Sequence, residues 1–370
     1  MKGFYFINTD LRTTRAHTSQ VLHTTTALQA FLPLSLVAPQ FPALNLEMIA
    51  KRHDLPRVPG AALLWNFNIR RPGILAFILF NIPAILFLLV KKIKGEAGFI
   101  YVRATYFLPL IFIAFVFRVP CFYETHRRPV SFSERLRDDI IARMAAGHVI
   151  ISERVREYYT RYKKPTLVIH DAVALKRFAV RIGKAQARKQ LGFASDARIC
   201  VYTGTVSSLK GIDYLVEAAC LLSDVSFVLV GRIATEFQGV PLPANVTLMG
   251  EKEQGELPAI LQAADALLLP HPDNDYSQSP MKLFEYMASD VPIVASRLSS
   301  ISEVLNDTNS FLVEAGRAET LAEGIATALG DRARATRLAA QAQRDVADYT
   351  WEMRGQKIAA FIRDTLNHDF

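Results

Sequence analysis

The residues from Ser279 to Ala288 combine a helix start, a cation and a carboxylate in one short segment. A Ser-Pro pair at a helix start leaves the next backbone N–H groups without intrahelical acceptors, and the helix dipole adds partial positive charge. The N–H groups in question belong to Met281, Lys282 and Leu283. Lys282 adds a formal charge, so this end of the helix is suited to bind an anion. Glu285 follows within reach of the hydroxyls of a sugar or ribose attached to that anion, which favours a sugar nucleotide as the ligand.

The surrounding pattern resembles a known family. Ser279-Pro-Met-Lys-Leu-Phe-Glu-Tyr-Met-Ala288, followed by Val291-Pro-Ile-Val-Ala-Ser296, resembles the signature of the retaining family-4 (group 1) glycosyltransferases. The resemblance implies an α/β protein with two Rossmann-like domains facing a cleft, the GT-B fold. The family has two glutamates: Glu285 matches the second, and Ser277 stands where the first would contact the donor hexose. The alternative for this segment alone is an amphipathic core helix after the apolar strand at 266–269.

A second motif of the family lies upstream. Thr205 to Gly211 follows a predicted strand at 199–204 and resembles a Gly-Arg and Lys-Gly pattern. Lys210 matches the lysine that holds the donor diphosphate, whereas Thr205 replaces the arginine. A lysine neutralises a departing diphosphate as a point charge but lacks the bidentate fork of arginine. Arg232, after a predicted strand at 225–230, either supplies the lost charge or is a surface arginine.

The first half of the chain has its own candidate site. Glu124 and His126 end a predicted strand, and the resemblance implies that this histidine lies beside the donor sugar, where it orients the reacting group. The alternative is a structural Glu-His hydrogen bond at a strand end. Arg103 ends the predicted strand at 98–103 and is a candidate for contact with the acceptor.

A polar loop after the first predicted strand is the last candidate element. It contains Arg15 and His17 and sits where a Rossmann domain places its first ligand loop. It has no Gly-rich phosphate motif. The pattern is compatible with a loop that contacts the acceptor or a phosphate. It is equally compatible with a loop that is only solvated.

The chain of 370 residues is long enough for two domains. Val168 to Phe178 resembles the crossover between the two domains of the family. We therefore predict an acceptor-side domain at 1–178 and a nucleotide-sugar-binding domain at 179–351. The helix at about 352–370 resembles the family's closing helix, which crosses back to the first domain.

Charge and hydrophobicity are unevenly distributed. Residues 1–178 carry a net charge of +14 and the remainder −6, so the first half should face an anionic partner. The apolar run at 73–90 has basic residues on both sides, namely Arg70, Arg71, Lys91, Lys92 and Lys94. We favour a helix that packs on the sheet and dips its other face into an anionic membrane interface. A buried crossover helix and a membrane span or hairpin are the alternatives.

The sequence disfavours a metal site, a signal peptide and a nucleic-acid-binding surface. The three cysteines are widely spaced, which favours a reducing compartment and no zinc site. Asp273-Asn-Asp275 imitates the D-x-D metal motif of the other glycosyltransferase fold, but it lies in a loop, so no metal or other cofactor is expected. The N-terminal residues predict a strand and not a signal peptide. The basic residues lack the aromatic interleaving of a nucleic-acid binder.

Together these features predict a metal-independent retaining glycosyltransferase with Glu285, Lys210 and His126 as its catalytic residues. The expected donor is a nucleotide sugar. The expected acceptor is a lipid-linked saccharide in surface polysaccharide or lipopolysaccharide assembly, with the protein cytoplasmic and peripheral on the inner face of the cell membrane. A catalytically silent scaffold of the same fold would explain Ser277 and Thr205, and a nucleotide-sugar epimerase is a further alternative.

Overall fold

The computed structural model describes residues 2–13, 16–41, 45–58, 60–65, 74–103, 105–274 and 279–369. Arg15, Ser277 and Asp275 therefore lie outside the described residues, as do Arg70 and Arg71. The chain forms two compact units. The first consists of Met1–Asp171 with Trp351–Phe370, and the second is Ala172–Thr350. The residues at 172–178, which the sequence assigned to the first domain, fall in the second unit.

The described part of the first unit contains a seven-stranded parallel sheet in the order β3-β2-β1-β4-β5-β6-β7. Its strands are β1 Lys2–Phe6, β2 Leu34–Pro39, β3 Ala61–Leu64, β4 Ala97–Val102, β5 Cys121–Thr125, β6 Gly147–Ile150 and β7 Thr166–Val168. The central strands are apolar on both faces because helices cover both sides of such a sheet. The chain reverses its direction of travel across the sheet between β1 and β4, so the loops after these strands border a crevice.

Seven helices accompany this sheet in the described residues. They are α1 Ala16–Gln29, α2 Leu46–Arg52, α3 Ile74–Ile93, α4 Leu108–Val116, α5 Phe132–Met144, α6 Glu153–Tyr159 and the C-terminal α13 Trp351–Asp369. Both α2 and β3 lie in a stretch whose sequence pattern assigned no element. Asn45 caps α2 by accepting from the Met48 N–H, and four residues are enough for the edge strand β3.

The described part of the second unit contains a six-stranded parallel sheet in the order β10-β9-β8-β11-β12-β13. The strands are β8 Arg198–Thr203, β9 Val225–Val230, β10 Val246–Gly250, β11 Ala266–Leu269, β12 Ile293–Ser296 and β13 Phe311–Val313. The helices are α7 Lys184–Leu191, α8 Ile212–Leu221, α9 Leu257–Gln262, α10 Met281–Ala288, α11 Ala318–Gly330 and α12 Arg332–Asp345. The direction of travel reverses between β8 and β11, which places the crevice of this sheet there. The predicted Rossmann-like architecture of both units is confirmed.

The C-terminal helix α13 returns to the first unit, as predicted. Ile358, Ala359 and Ile362 are fully buried in the same apolar core as residues of α1 and of the central strands. Gly355 lets α13 approach α1 closely, because a Cβ atom there would lie 2.7 Å from the backbone carbon of Ala27. The helix is therefore part of the hydrophobic core and not an appended tail.

Helix α3 buries one face and exposes the other. Phe80, Ala84 and Leu88, spaced four residues apart, are at most 1% exposed. The opposite stripe is apolar as well, and Leu86 is 58% exposed. The alternative of an entirely buried crossover helix is therefore wrong. In the part of the chain that the structure describes, no helix has both the length and the apolar character that crossing a membrane requires.

Helices α4 and α5 also expose apolar side chains, and α4 packs against both α3 and α5. We call the combined surface the apolar face; its members are Ile82, Leu86, Val90, Ile93, Phe112, Phe115, Val116, Phe132, Leu136 and Ile140, each at least 37% exposed. Asn81 of α3 donates to the carbonyl of Tyr106, in the turn before α4, at 2.9 Å. An exposed apolar surface drawn from three helices is typical of an interaction site.

Gly355→Ala tests the docking of α13. Alanine favours an isolated helix by up to about 1 kcal/mol over glycine, but here its Cβ collides with Ala27. We expect a net loss of about 1–3 kcal/mol in the free energy of unfolding, measured by scanning calorimetry. Gly330→Ala is the matched control, because a Cβ atom there meets nothing within 4 Å. Equal behaviour of the two variants would contradict the close packing of α13 on α1.

Candidate active site

A buried carboxylate organises the candidate site of the first unit. Glu124, at the end of β5, is 1% exposed. Its Oε1 accepts from the Arg354 guanidinium at 2.7 Å, and its Oε2 accepts from the Tyr101 hydroxyl at 2.6 Å. Burial alone would raise the pKa of Glu124, but Arg354 and the hydrogen bond from His126 outweigh it and hold this pKa well below its usual range. Glu124 is thus a charged group inside the protein.

The ion pair also anchors the C-terminal helix. Arg354 is 2% exposed and donates to the backbone carbonyls of Ile169 and His170, at 2.9 and 2.6 Å. Its Nη1 and Nη2 groups are shared between one carboxylate and two carbonyl groups, while its Nε atom is buried without a hydrogen-bond partner among the described residues. One side chain from α13 therefore ties together the ends of β5 and β7.

Glu124 fixes the ring of His126. Oε1 of the carboxylate lies 2.5 Å from Nε2 of the histidine. Because the carboxylate is ionised, Nε2 must carry the proton, which leaves Nδ1 as an acceptor 3.3 Å from the side-chain amide of Gln20. Burial and the nearby charge of Arg103 lower the pKa of His126. The ring is therefore held neutral, in one tautomer and one orientation.

The other candidates of this unit surround His126. Arg103, directly after β4, is half-buried, and its Nη1 atom is buried without a hydrogen-bond partner in the described structure. His17, near the start of α1, is exposed and contacts the Thr9 hydroxyl through Nε2 at 2.9 Å. The loops after β1, β4 and β5 thus bring His17, Arg103, Glu124 and His126 to one edge of the sheet. Arg15 lies outside the described residues.

In the second unit, hydrogen bonds and close backbone contacts fix the loops around the crevice. The hydroxyl of Tyr286, on α10, accepts from the backbone N–H of Thr203 at 2.8 Å and so ties this helix to the end of β8. Gly211 lies against the loop after β11, because a Cβ atom there would come 1.7 Å from the Pro270 carbonyl oxygen. Its φ of 77° also favours glycine. The loops after β8 and β11 are therefore in direct contact.

Lys210, Lys282 and Glu285 converge at this crevice. Lys282 and Glu285 are three residues apart on α10 and share one face of the helix. Burial and then the charge of Lys210 lower the pKa of Lys282 well below its usual value. Burial also lowers the pKa of Lys210. The structure thus places two half-buried lysine side chains at one site.

Glu285 has a partner that the sequence did not indicate. It is 7% exposed, and its Oε1 atom lies 3.5 Å from the guanidinium of Arg177. Arg177 also donates to Gln254 at 2.6 Å. Burial raises the pKa of Glu285, and Arg177 and Lys282 oppose this rise. The carboxylate that was expected to meet sugar hydroxyls is therefore already part of an ion pair.

The start of α10 differs in one respect from expectation. The helix begins after Pro280 as predicted, and no side chain caps it. Leu283, however, donates its backbone N–H to the Pro280 carbonyl at 2.9 Å, and its side chain is in the core. The prediction of an available N–H at Leu283 is wrong, because the first turn of the helix already uses it. Met281 and Lys282 remain the first two helical residues, where backbone donors lack intrahelical acceptors.

The other residues predicted to bind the sugar donor are Thr205, Arg232, Ser279 and Ser277. Thr205 is half-buried and accepts from the Tyr202 hydroxyl through its carbonyl at 2.8 Å. Arg232 is exposed after β9. Ser279 is half-buried, one residue before the helix cap. Ser277 is not among the described residues.

Comparison with known proteins identifies the family. A family model described as "Glycosyl transferases group 1" matches residues 183–345. The alpha-D-kanosaminyltransferase of Streptomyces kanamyceticus is 23% identical over 263 residues, which are 64% of this chain and 67% of that enzyme. The crystal structure of Anabaena Alr3699/HepE in complex with UDP-glucose matches with a TM-score of 0.77 at 18% identity, over 98% of this chain and 100% of that one. Residues 183–345 are therefore a group 1 glycosyltransferase domain, and the chain as a whole has the GT-B fold.

A third relative matches a shorter part of the glycosyltransferase. A Bacillus subtilis glycosyltransferase named for teichuronic acid biosynthesis is 31% identical over 149 residues. These residues are 38% of this chain and 36% of that protein. The similarity of sequence to these two relatives therefore covers 64% and 38% of the chain, while the similarity of fold extends over nearly all of it.

Sequence reasoning missed several residues of the two candidate sites. They are Gln20, Tyr101, Asp171, Arg177, His271 and Arg354. Arg354 lies in the closing helix that the sequence indicated, but that pattern does not show that its side chain is buried. Gln20 donates to both His126 and Asp171, but nothing in its local sequence separates it from an ordinary polar residue of α1.

Arg354→Met tests the central ion pair. Loss of the guanidinium leaves Glu124 buried without its counter-charge, and we expect a loss of about 3–5 kcal/mol in the free energy of unfolding of the first unit. The two tryptophans of the chain are Trp65 and Trp351, and both belong to this unit. Tryptophan fluorescence during urea unfolding therefore measures its stability specifically.

The double variant Arg354→Met with Glu124→Gln is the control for this test. It should be more stable than Arg354→Met alone, since a neutral amide needs no counter-charge. An unchanged unfolding midpoint in Arg354→Met would show that the ion pair does not stabilise the unit.

Proposed function

We propose that this glycosyltransferase moves a sugar from a nucleotide-sugar donor to an acceptor hydroxyl with retention at the anomeric carbon. The observation that carries the proposal is the convergence of Lys210, Lys282 and Glu285 at the crevice of the second sheet, where α10 begins. Two cations and a helix N-terminus suit a diphosphate, and a neighbouring carboxylate suits a polyol. The UDP-glucose complex of the related Anabaena structure supports a donor of this class.

The chemistry requires stabilisation of the leaving group. The bond between the anomeric carbon and the diphosphate oxygen breaks, and its electron pair remains on the diphosphate. The acceptor hydroxyl oxygen bonds to the same face of the anomeric carbon, and its proton passes to the departing phosphate oxygen. Lys210 and the N-terminus of α10 stabilise the charge that develops on the diphosphate. This front-face reaction needs no covalent nucleophile.

Two further residues position the sugar in this proposal. Glu285 accepts hydrogen bonds from hydroxyls of the donor, with Arg177 holding its carboxylate in place. His126 orients the reacting sugar with its ring, which Glu124 keeps neutral and in one tautomer. The cations that neutralise the leaving group are protein side chains, so the proposed reaction is metal-independent and should continue in the presence of EDTA.

The donor site can be tested by calorimetric titration with a panel of UDP-, GDP-, ADP- and CMP-sugars. We expect one class to bind, and Lys210→Met to weaken its affinity about ten- to a hundredfold, the usual loss for one hydrogen bond to a charged group. Glu285→Gln should reduce the release of nucleoside diphosphate, because an amide accepts weaker hydrogen bonds than a carboxylate. Lys189→Met, on the exposed side of α7, is the control and should bind as the wild type does.

The outcomes of this titration separate the alternatives. Binding without release of nucleoside diphosphate to any acceptor favours the catalytically silent scaffold, which the residues at 205 and 277 would explain. Conversion of the bound sugar without transfer indicates an epimerase. Absence of binding by every sugar nucleotide contradicts the proposed function.

We also propose that the apolar face docks on an anionic membrane and that the acceptor is a lipid-linked saccharide. Exposed basic residues accompany the face, namely Lys94, Arg118, Arg135 and Arg143. Apolar side chains that enter the headgroup region, with basic residues on anionic lipids, are the usual means of interfacial binding. The name of the Bacillus subtilis relative supports a role in polysaccharide assembly. The protein would then act on the inner face of the cell membrane.

Sedimentation with vesicles tests the membrane proposal. The protein should co-sediment with vesicles that contain phosphatidylglycerol, less with pure phosphatidylcholine, and less at high salt because salt screens the basic residues. The double variant Phe112→Ser with Phe115→Ser should lose most of this binding without unfolding, since both side chains are exposed. Leu221→Ser, which removes an equally exposed apolar side chain of the second unit, should bind as the wild type does. Equal sedimentation of all three proteins would exclude the apolar face as the docking surface.

A further inference from the structure

A fully buried histidine lies at the crevice of the second unit. His271 follows β11 by two residues and has no exposed surface. Neither of its ring nitrogens has a hydrogen-bond partner among the described residues. Burial, and then the charges of Lys282 and Lys210, lower its pKa well below the usual value. The structure thus holds a neutral imidazole near two lysines, with no hydrogen bond from its ring to the residues that the structure describes.

Lys282 is half-buried as a residue, but the amine at the end of its side chain is not exposed. Its Nζ atom is buried and makes no hydrogen bond within the described part of the chain. The amine lies 3.8 Å from the centre of the Tyr202 ring. It also lies against Gly204, where a Cβ atom would come 2.6 Å from Nζ. Gly204 has a φ of 122°, so the backbone here both favours glycine and needs its small size to admit the amine.

Unpaired groups of this kind are costly. A buried polar group without a hydrogen bond destabilises the folded state, and a buried charge without a partner does so more strongly. The ring of Tyr202 offsets only part of this cost through its cation–π contact. A ligand with several negative oxygens would supply the missing acceptors for Lys282 and for the N–H of His271. The missing hydrogen-bond acceptors of Lys282 and His271 therefore favour an anionic ligand at this site.

We propose that Lys282 and His271 complete the donor diphosphate site, with Lys282 replacing the arginine that is absent at position 205. This inference rests on the proposed function and specifies its leaving-group site. Lys282 provides the second positive charge beside Lys210. His271 provides a neutral N–H donor to a diphosphate oxygen, and so adds a hydrogen bond without adding charge.

The position of Lys282 favours it over Arg232 as the replacement. The amine of Lys282 reaches the backbone immediately before Thr205, where the side chain of an arginine at 205 would begin. It approaches that point from the first turn of α10, so its charge and the helix N-terminus act together on one anion. Arg232 is exposed, and a solvated guanidinium loses most of its electrostatic effect. A cationic side chain at position 205 or at position 282 could thus reach the same diphosphate site.

Lys282→Met separates a ligand-binding role from a structural one. Removal of an unpaired buried amine should raise the thermal midpoint of the ligand-free protein by about 2–4 °C. The same variant should bind UDP, GDP or ADP, whichever the wild type prefers, about ten- to a hundredfold more weakly. Affinity for the corresponding nucleoside monophosphate should change much less. A structural cation–π contact would show the opposite pattern, with lower stability and unchanged affinity.

A relocation of the charge tests the replacement directly. Thr205→Arg in the Lys282→Met background should restore most of the lost affinity for the nucleoside diphosphate, because it returns the cation to the family's position. Thr205→Arg should not restore the affinity of the Lys210→Met variant, because the charge that this variant has lost lies at a different position. His271→Gln retains an N–H donor and should bind the diphosphate nearly as the wild type does, whereas His271→Met should bind it more weakly.

The outcomes distinguish this inference from the proposed function. If the wild type binds a nucleoside diphosphate and Lys282→Met binds it equally well, the inference is wrong while the donor site stands. Equal losses for the diphosphate and the monophosphate also overturn it, since the lysine would then not contact the second phosphate. If the wild type binds neither, both proposals fail. Intact diphosphate binding without sugar transfer overturns the proposed transfer but leaves the assignment of Lys282 and His271 in place.

Discussion

The connectivity of the two parallel sheets determines where chemistry can occur in this protein. In each unit the chain starts at the centre of the sheet, adds strands on one side and then returns to add strands on the other side. The loops that follow the two adjacent central strands therefore run in opposite directions. These strands are β1 and β4 in the first unit and β8 and β11 in the second. The backbone at their carboxyl ends is not covered by a crossover helix, and helix N-termini point toward it. Most candidate residues of both units lie at these ends, and Glu124, His126 and Arg232 lie at the ends of the neighbouring strands β5 and β9.

The two sites use buried charge in different ways. In the first unit, the Glu124 carboxylate is paired with Arg354, Tyr101 and His126 without a ligand. Such a network holds a histidine ring still and contributes to the stability of the unit. In the second unit, Lys282 and His271 are buried without partners in the described structure. That arrangement costs stability in the free protein and is compensated when an anion binds. One site is preorganised by its own residues, and the other is incomplete until it is occupied.

Much of the fold was predictable because its elements have strong local patterns. Strands such as Leu34–Pro39 and Val225–Val230 are apolar along their whole length, as central parallel strands must be. The stretch containing α2 and β3 was not predictable, since a seven-residue helix and a four-residue edge strand are too short to show a period. The exposed apolar stripes of α4 and α5 were also missed. Each helix resembles a core helix until the packing shows which side is covered.

The sequence by itself determined the family, the two Rossmann-like units and the residue types of the donor motif. It did so because the order of strand, loop and helix start around Lys210 and Glu285 is a local property. Only the tertiary structure decided the partners of these residues. Arg354 reaches Glu124 from a helix 230 positions away in the chain, Arg177 pairs with Glu285, and Lys282 reaches the backbone beside Thr205. Contacts over such separations depend on how the helices pack on the sheets, and no local pattern encodes that packing.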